Sequence, residues 1–358
     1  MKESTKARRR MVAMAAQAAA LLALASTAAV AALPAPLERP AQALRQPGRG
    51  VTLGLAQAGS RIVAVGEHGA VLLSDDAGRR WRQAAVVPVG VTLTAVQFVN
   101  DRLGWAIGHQ GVVLRTTDGG EHWTRQLDGV QVAQLLLQDA QTQGGTKAVA
   151  DAQRAVEEGA DKPLLALHFS NEREGLVAGA FGTLLATRDG GATWHSLTSR
   201  LDNPRGAHLY AIDRAGDDVL LVGEQGLVLH SVDGAQRFER ITTPYGGSFF
   251  GVGRDAQGAW LVAGLRGNVL RSSDSGHSWS ALQAPAPVSV TALSRDAQGG
   301  LWLANQAGQL LRPDAAAPRL KAVADTAAQQ PASLLLLADG TVLLAGWSGI
   351  TRVESPSR

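Results

Sequence analysis

Five aspartates stand in one repeated setting: Asp76 in "SDDAGRRW", Asp118 in "TTDGGEHW", Asp189 in "TRDGGATW", Asp233 in "SVDGAQRF" and Asp274 in "SSDSGHSW". Each follows a Ser or Thr by two residues and precedes an aromatic residue by five: Trp81, Trp123, Trp194, Phe238 and Trp279. A carboxylate so placed could bind a cation, move a proton, or accept hydrogen bonds from the amides of its own turn. The last reading accounts for the whole motif. Glycine takes positive φ without steric cost, and the aromatic ring opens a strand that it can cover. The five aspartates are therefore expected to hold turns rather than ligands.

Other chemically capable residues are few. The only tyrosines are Tyr210, in an inner-strand run, and Tyr245, in a loop. His68 and His109 fall at similar places in adjacent repeats, but two histidines without a third ligand do not make a metal site. No P-loop, His-Glu-x-x-His or Gly-x-Ser-x-Gly motif is present, nor the Phe-Arg-Ile-Pro signature of sialidases. The chain has no cysteine, which excludes disulfides and thiolate metal sites. No cofactor and no catalysis are expected. Arg115, Arg271 and Arg312 share a register, but Leu73, Ala186 and Val353 interrupt it, so solvated or Trp-stacked arginines are expected.

The turns need elements to position them. Each follows a Gly-x-x-Gly step and a short apolar run: "GEHGAVLL", "GHQGVVLR", "GAFGTLLA", "GEQGLVLH" and "GLRGNVLR", then the degraded "NQAGQLLR" and "GWSGITRV". The leading residues are 66, 108, 179, 223, 264, 305 and 346, spaced by 41 to 44 except for one interval of 71. Such a period defines a repeat architecture. Within one unit, "TLTAVQFV", "RLGWAIG", "GVVLRT" and "WTRQL" read as four strands. Seven four-stranded units describe an all-β, seven-bladed β-propeller spanning residues 33–358. The last unit lacks its fourth strand, and Ala41–Gln46 falls in the register to supply it and close the ring.

The formal charge of +3 arises at the extreme N-terminus; residues 11–358 sum to −1, which argues against a nucleic-acid partner. Residues 1–32 combine a basic start with a 22-residue apolar run, either a cleaved secretory signal or a membrane anchor. Both place the remainder outside the cytoplasm, in the periplasm or on the periplasmic face of the inner membrane. An uncleaved N-terminus would itself contact that membrane.

Topology puts the Gly-x-x-Gly turns on the face of the blade-to-blade links. They carry His68, His109, Phe181, Leu265, Arg266 and Trp347, candidates for partner binding because apolar residues in turns are unusual. The long interval is an insertion at about 130–160 between blades two and three. "VQVAQLLLQDAQ" and "KAVADAQRAVEEG" read as a helical hairpin. Its Val149, Ala152 and Val156 share one apolar face, so Val149 and Val156 join the candidates.

The repeats match the Asp-box (BNR) repeat of sialidases and sortilin-type receptors. The longer run "GWAIGHQGVVLRTTDGGEHW" (104–123) resembles the photosystem II stability/assembly factor family, over about residues 40–353. That resemblance implies a seven-bladed propeller outside the cytoplasm, acting as a non-enzymatic assembly factor for a membrane complex; a monomer is expected. In non-photosynthetic bacteria it points to a cell-envelope client, an exporter among the candidates. The alternative is a carbohydrate-binding or sialidase-like Asp-box propeller.

Overall fold

Seven runs in the sequence are apolar almost without interruption: "RIVAVG", "GWAIG", "GLVAG", "DVLLVG", "WLVAG", "LWLAN" and "VLLAG". Strands of this kind must be covered on both faces, because an alternating pattern would serve a sheet with one wet face. In the computed structural model, which describes residues 35–354, each is the second strand of an antiparallel sheet and is buried over nearly its whole length. Seven sheets result, over residues 52–83, 93–127, 164–196, 209–240, 249–281, 290–325 and 331–353, the first six with four strands and the last with three.

The first strand of each sheet packs against the first strand of the next, and Pro331–Leu336 of the seventh packs against Thr52–Ala58 of the first. Apolar clusters fill the spaces between successive sheets. Leu55, Ile62 and Leu72 meet Leu343 and Ala345 across the junction of first and last sheets, where the Ser333 hydroxyl oxygen accepts from Leu55 N at 3.1 Å.

The glycine that ends the second strand has a steric cause. A Cβ on Gly66, Gly108, Gly179, Gly223 or Gly264 would lie 2.0–2.3 Å from the carbonyl oxygen of the incoming link, at Val51, Thr92, Pro163, His208 and Ser248 respectively. The link can bond to the turn only because nothing projects there.

The Asp-box turns form as expected. Asp76, Asp118, Asp189, Asp233 and Asp274 each accept a hydroxyl from the Ser or Thr two residues earlier, at 2.7–2.9 Å. Each also accepts the amide four residues later, at 2.8–3.1 Å. Their carboxyl groups are held below the ordinary range, Asp189 and Asp274 at about 2, chiefly by bonds from Thr193 and Ser278. Trp123, Trp194 and Phe238 are buried, while Trp81 and Trp279 are half-buried.

Ala41–Gln46 does not form the expected fourth strand, and the seventh sheet keeps three. Pro40 and Pro47 flank the segment and lack amide donors. The segment is instead a belt. Gly90 N donates to Pro36 O, Ala41 N to Val87 O, Gln42 N to His68 O and Ile350 N to Gly48 O. It thus runs from the first blade link, across the first sheet, to the seventh. The expected signal or anchor at 1–32 lies outside the described residues.

Two α-helices interrupt the strands among the described residues: α1 (Gly129–Gln143) and α2 (Thr146–Glu158), the hairpin expected at 130–160. Asp128 caps α1, accepting from Val130 N and Gln131 N while the Gln131 side chain accepts from Asp128 N, a reciprocal pair that fixes the helix start. No described helix is long and apolar enough to cross a membrane.

Candidate functional site: a cleft between the hairpin and the turn face

The hairpin lies against the third sheet. Val132, Leu135 and Leu136 pack into the cluster that also holds Trp105, Phe169 and Trp194. Asp139 fixes the helix polar side by accepting Ser196 Oγ at 2.7 Å, Ser199 N at 3.0 Å and Ser199 Oγ at 2.6 Å. α2 has no such anchor and packs chiefly on α1, burying Ala152 and Ala155. Between the helices, the Phe181 turn and the loop 198–206 lies a cleft of about 800 Å³.

Phe181 forms one wall of this cleft. It is 58% exposed and has φ of 55°. The same turn position holds His68, Gln110, Gln225 and Arg266 in the other repeats, all near φ of 55°. A left-handed backbone costs an L-residue about 1–2 kcal/mol, and polar side chains fill it elsewhere. Only here is it a large exposed apolar ring. Lys162 Nζ lies 5.4 Å from the Phe181 ring centroid, and the His208 ring packs edge to face with it, centroids 4.9 Å apart. The aromatic row continues through Tyr210, 6.4 Å from His208, to Phe250, 5.4 Å further on.

Glu224 organises this row. It accepts His208 N at 3.0 Å and the Tyr210 hydroxyl at 3.2 Å. Burial, reinforced by the Glu224 charge, pushes the Tyr210 phenol up to about 12. A phenol so held is a hydrogen-bond donor rather than a nucleophile. The cleft's charges are largely matched: Lys147 pairs with Asp151, and Lys162 with Glu158 at 2.7 Å. Shape and the aromatic wall, not net charge, distinguish the site.

The expected candidates are not one site. Phe181 lines the cleft; Val149 and Val156 are half-buried in α2 and do not. His68, His109 and Arg266 are exposed on their own turns, and Leu265 is half-buried, its carbonyl accepting the Tyr245 hydroxyl at 3.2 Å. Trp347 is 64% exposed on the seventh sheet, beside the belt. Arg312 stacks on Trp302 with 4.7 Å from Cζ to the ring centroid, and Arg271 pairs with Asp255 at 2.9 Å.

Sequence reasoning passed over a second charged group on the inner strands. Arg214, Arg254 and Arg295 occupy the same register near the ends of three successive first strands. Asp213 bridges Arg254 and Arg295, and Arg254 also bonds Asp218 at 2.6 Å. Burial pushes the Asp213 carboxyl up, against the two arginines, with Asp218 adding to the rise. Burial and these three arginines hold the adjacent His168 at about 4, hence neutral. The recurring terminal arginine was the signal available in the sequence.

These features define an all-β propeller-type protein with Asp-box turns and a cleft beside its helical hairpin. A family model described as photosynthesis system II assembly factor YCF48 matches residues 37–117 and 146–310, and the chain belongs to that family. The gap between the matched stretches contains α1. The photosystem II assembly lipoprotein Ycf48 of Synechococcus sp. (strain CC9902) is 31% identical over 77 residues, a match spanning 22% of this chain and 23% of that relative. Among solved structures, YCF48 bound to D1 peptide superposes with a TM-score of 0.64 at 17% identity, covering 88% of this chain and 98% of the other. The WD40 β-propeller domain of Doa1 superposes at 0.62 with 12% identity, covering 88% and 95%.

Proposed function

We propose that this chain is an exported, monomeric seven-bladed propeller that serves, without catalysis, as an assembly or interaction factor for a membrane protein of the cell envelope, an exporter among the candidates. The observation that carries the reading is Phe181, an exposed aromatic ring in a left-handed turn, walled in by a hairpin whose first helix lies outside the family match. Strain retained at an exposed position suits a recognition residue, and aromatic anchors commonly dominate interface energetics. The family's description as an assembly factor and the relative seen with a D1 peptide support a segment of a membrane protein as ligand. The relative described as a lipoprotein supports a membrane-associated location, as does the reading of residues 1–32 as signal or anchor.

The test is a photocrosslinking amino acid placed at position 181 in cells. A crosslink to an envelope membrane protein, diminished when Asp139→Ala loosens the hairpin, is the expected outcome. A clean lane at position 181, with strong capture from the Asp-box face at position 232, would move the client to the other face. The row Phe181–His208–Tyr210–Phe250 favours a carbohydrate ligand as the second reading, since sugars stack on aromatic rings; a glycan array and sialidase assay separate it from the first.

A further inference from the structure

The belt carries a second surface, separate from the cleft. Trp347 presents its indole to solvent between Gly346 and Ser348, which is also exposed. Its turn meets the belt directly: a Cβ on Gly349 would lie 2.2 Å from Gly48 O and 2.9 Å from Arg49 Cα. Arg45 and Arg49 are exposed on this stretch. Of the neighbouring arginines, Arg125 pairs with Glu38 and Arg352 with Glu354, while Arg39 lies against Gly90. Arg45 and Arg49 have no such partner among the described residues.

We propose that Trp347, Arg45 and Arg49 form a docking surface for the anionic headgroup layer of a phospholipid bilayer, orienting the propeller with its Gly-x-x-Gly face toward the membrane. Three observations select lipid. An exposed indole on a turn that meets an arginine-bearing belt suits the interfacial zone, where amphipathic rings and snorkelling cations both settle. The two unmatched positive charges complement an anionic leaflet. The belt also continues, through residues 33–35, from an uncharged 22-residue apolar run preceded by five cations, a composition that partitions to bilayers. The belt's bonds to Val87, His68 and Gly90 put Pro36, Ala41 and Gln42 on the same face as Trp347.

The chain's lack of cysteine allows a clean test. Ser348→Cys in the full chain, labelled with an environment-sensitive nitrobenzoxadiazole dye, reports beside Trp347. Val232→Cys, 72% exposed in an Asp-box turn, reports from the opposite face. Protein-free vesicles of phosphatidylcholine with phosphatidylglycerol should brighten and blue-shift the label at 348 and not at 232. Phosphatidylcholine alone, to which an N-terminal segment could still tether, should leave position 348 dark. Each arginine near an anionic surface contributes roughly fivefold in partitioning, so Arg45→Ala with Arg49→Ala should weaken the response about 25-fold. Equal responses at 348 and 232, or no loss in the double variant, overturns the proposal. A response that requires native membranes and fails with protein-free vesicles assigns the surface to a protein and overturns it equally.

Discussion

Asp139→Ala should loosen the hairpin without unfolding the sheets. The carboxylate accepts three hydrogen bonds from Ser196 and Ser199, the polar link between α1 and the third sheet. Bonds to a charged acceptor contribute about 1.5–3 kcal/mol each, and solvent compensates part of that at a half-buried site. With that compensation, a loss of about 3 kcal/mol for the group is expected, below the undiscounted sum of about 4.5–9. The apolar contacts of Val132, Leu135 and Leu136 remain, so the hairpin stays docked but opens more often. Amide exchange within 130–158 should accelerate roughly a hundredfold, since each 1.4 kcal/mol is tenfold in an opening equilibrium. Exchange in the apolar second strands should be unchanged. Native-state hydrogen exchange read by mass spectrometry resolves the two regions. Unaltered exchange at 130–158 would show that the apolar contacts alone hold the hairpin. A uniform acceleration across all sheets would show that the hairpin is part of the global folding unit.

Phe181→Asn should keep or slightly raise the melting temperature, because Asn tolerates the left-handed turn, while reducing client capture; a collapse in stability would make the ring structural. Phe238→Ala should cost about 3–5 kcal/mol in denaturant unfolding, as for other large buried aromatics, and a cost below about 1 would contradict its burial. Deleting residues 36–49 should lower the melting temperature, since Leu44 packs with Trp81 and Ile350 where the first and seventh sheets meet. A truncated protein that melts like the parent would make the belt dispensable. Acid should act in two stages. His168 is held at about 4 against an ordinary 6.5, so its unfolded form takes up a proton first, and stability falls as pH drops from 6.5 to 4, by up to about 3 kcal/mol. Asp189 and Asp274, depressed to about 2, contribute stability that is present above about 4 and lost between 4 and 2. In melting curves from pH 7 to 2, the parent and His168→Gln should differ in pH dependence between 6.5 and 4 and run parallel below.

The legible part of this protein is what the repeat writes seven times. Second strands declare themselves by unbroken apolar runs, and the Asp-box announces its turn through Ser/Thr, Asp, Gly and aromatic residues at fixed offsets. The hairpin was legible for another reason: helical periodicity stands out in a strand background. What occurs once was harder to read. The belt follows the register of an outer strand, Gly50–Leu53 echoing Gly90–Leu93, yet Pro40 and Pro47 remove the donors a strand would need. Asp139 gives no sign in "QLLLQDAQ" that it will meet two serines nearly sixty residues later.

The same reasoning explains why the turn residues divided into separate sites. Six or seven equivalent positions on one face look like a single surface in the sequence, because the repeat erases where each sits around the ring. The structure restores that information through what flanks each turn. Phe181 gains the hairpin, Lys162 and the aromatic row, while the Trp347 turn meets the belt at Gly48 and Arg49. Equivalent turns thus acquire different chemistry from non-repeating neighbours, and under the proposed function those neighbours would select the partner. Grafting therefore offers a discriminating test. Gln225→Phe creates the same exposed ring one blade on, next to Arg205, but without the hairpin as a wall. It should not restore client capture to a Phe181→Asn background. Restoration would mean that an aromatic ring anywhere on this face suffices, and that the hairpin has no part in recognition.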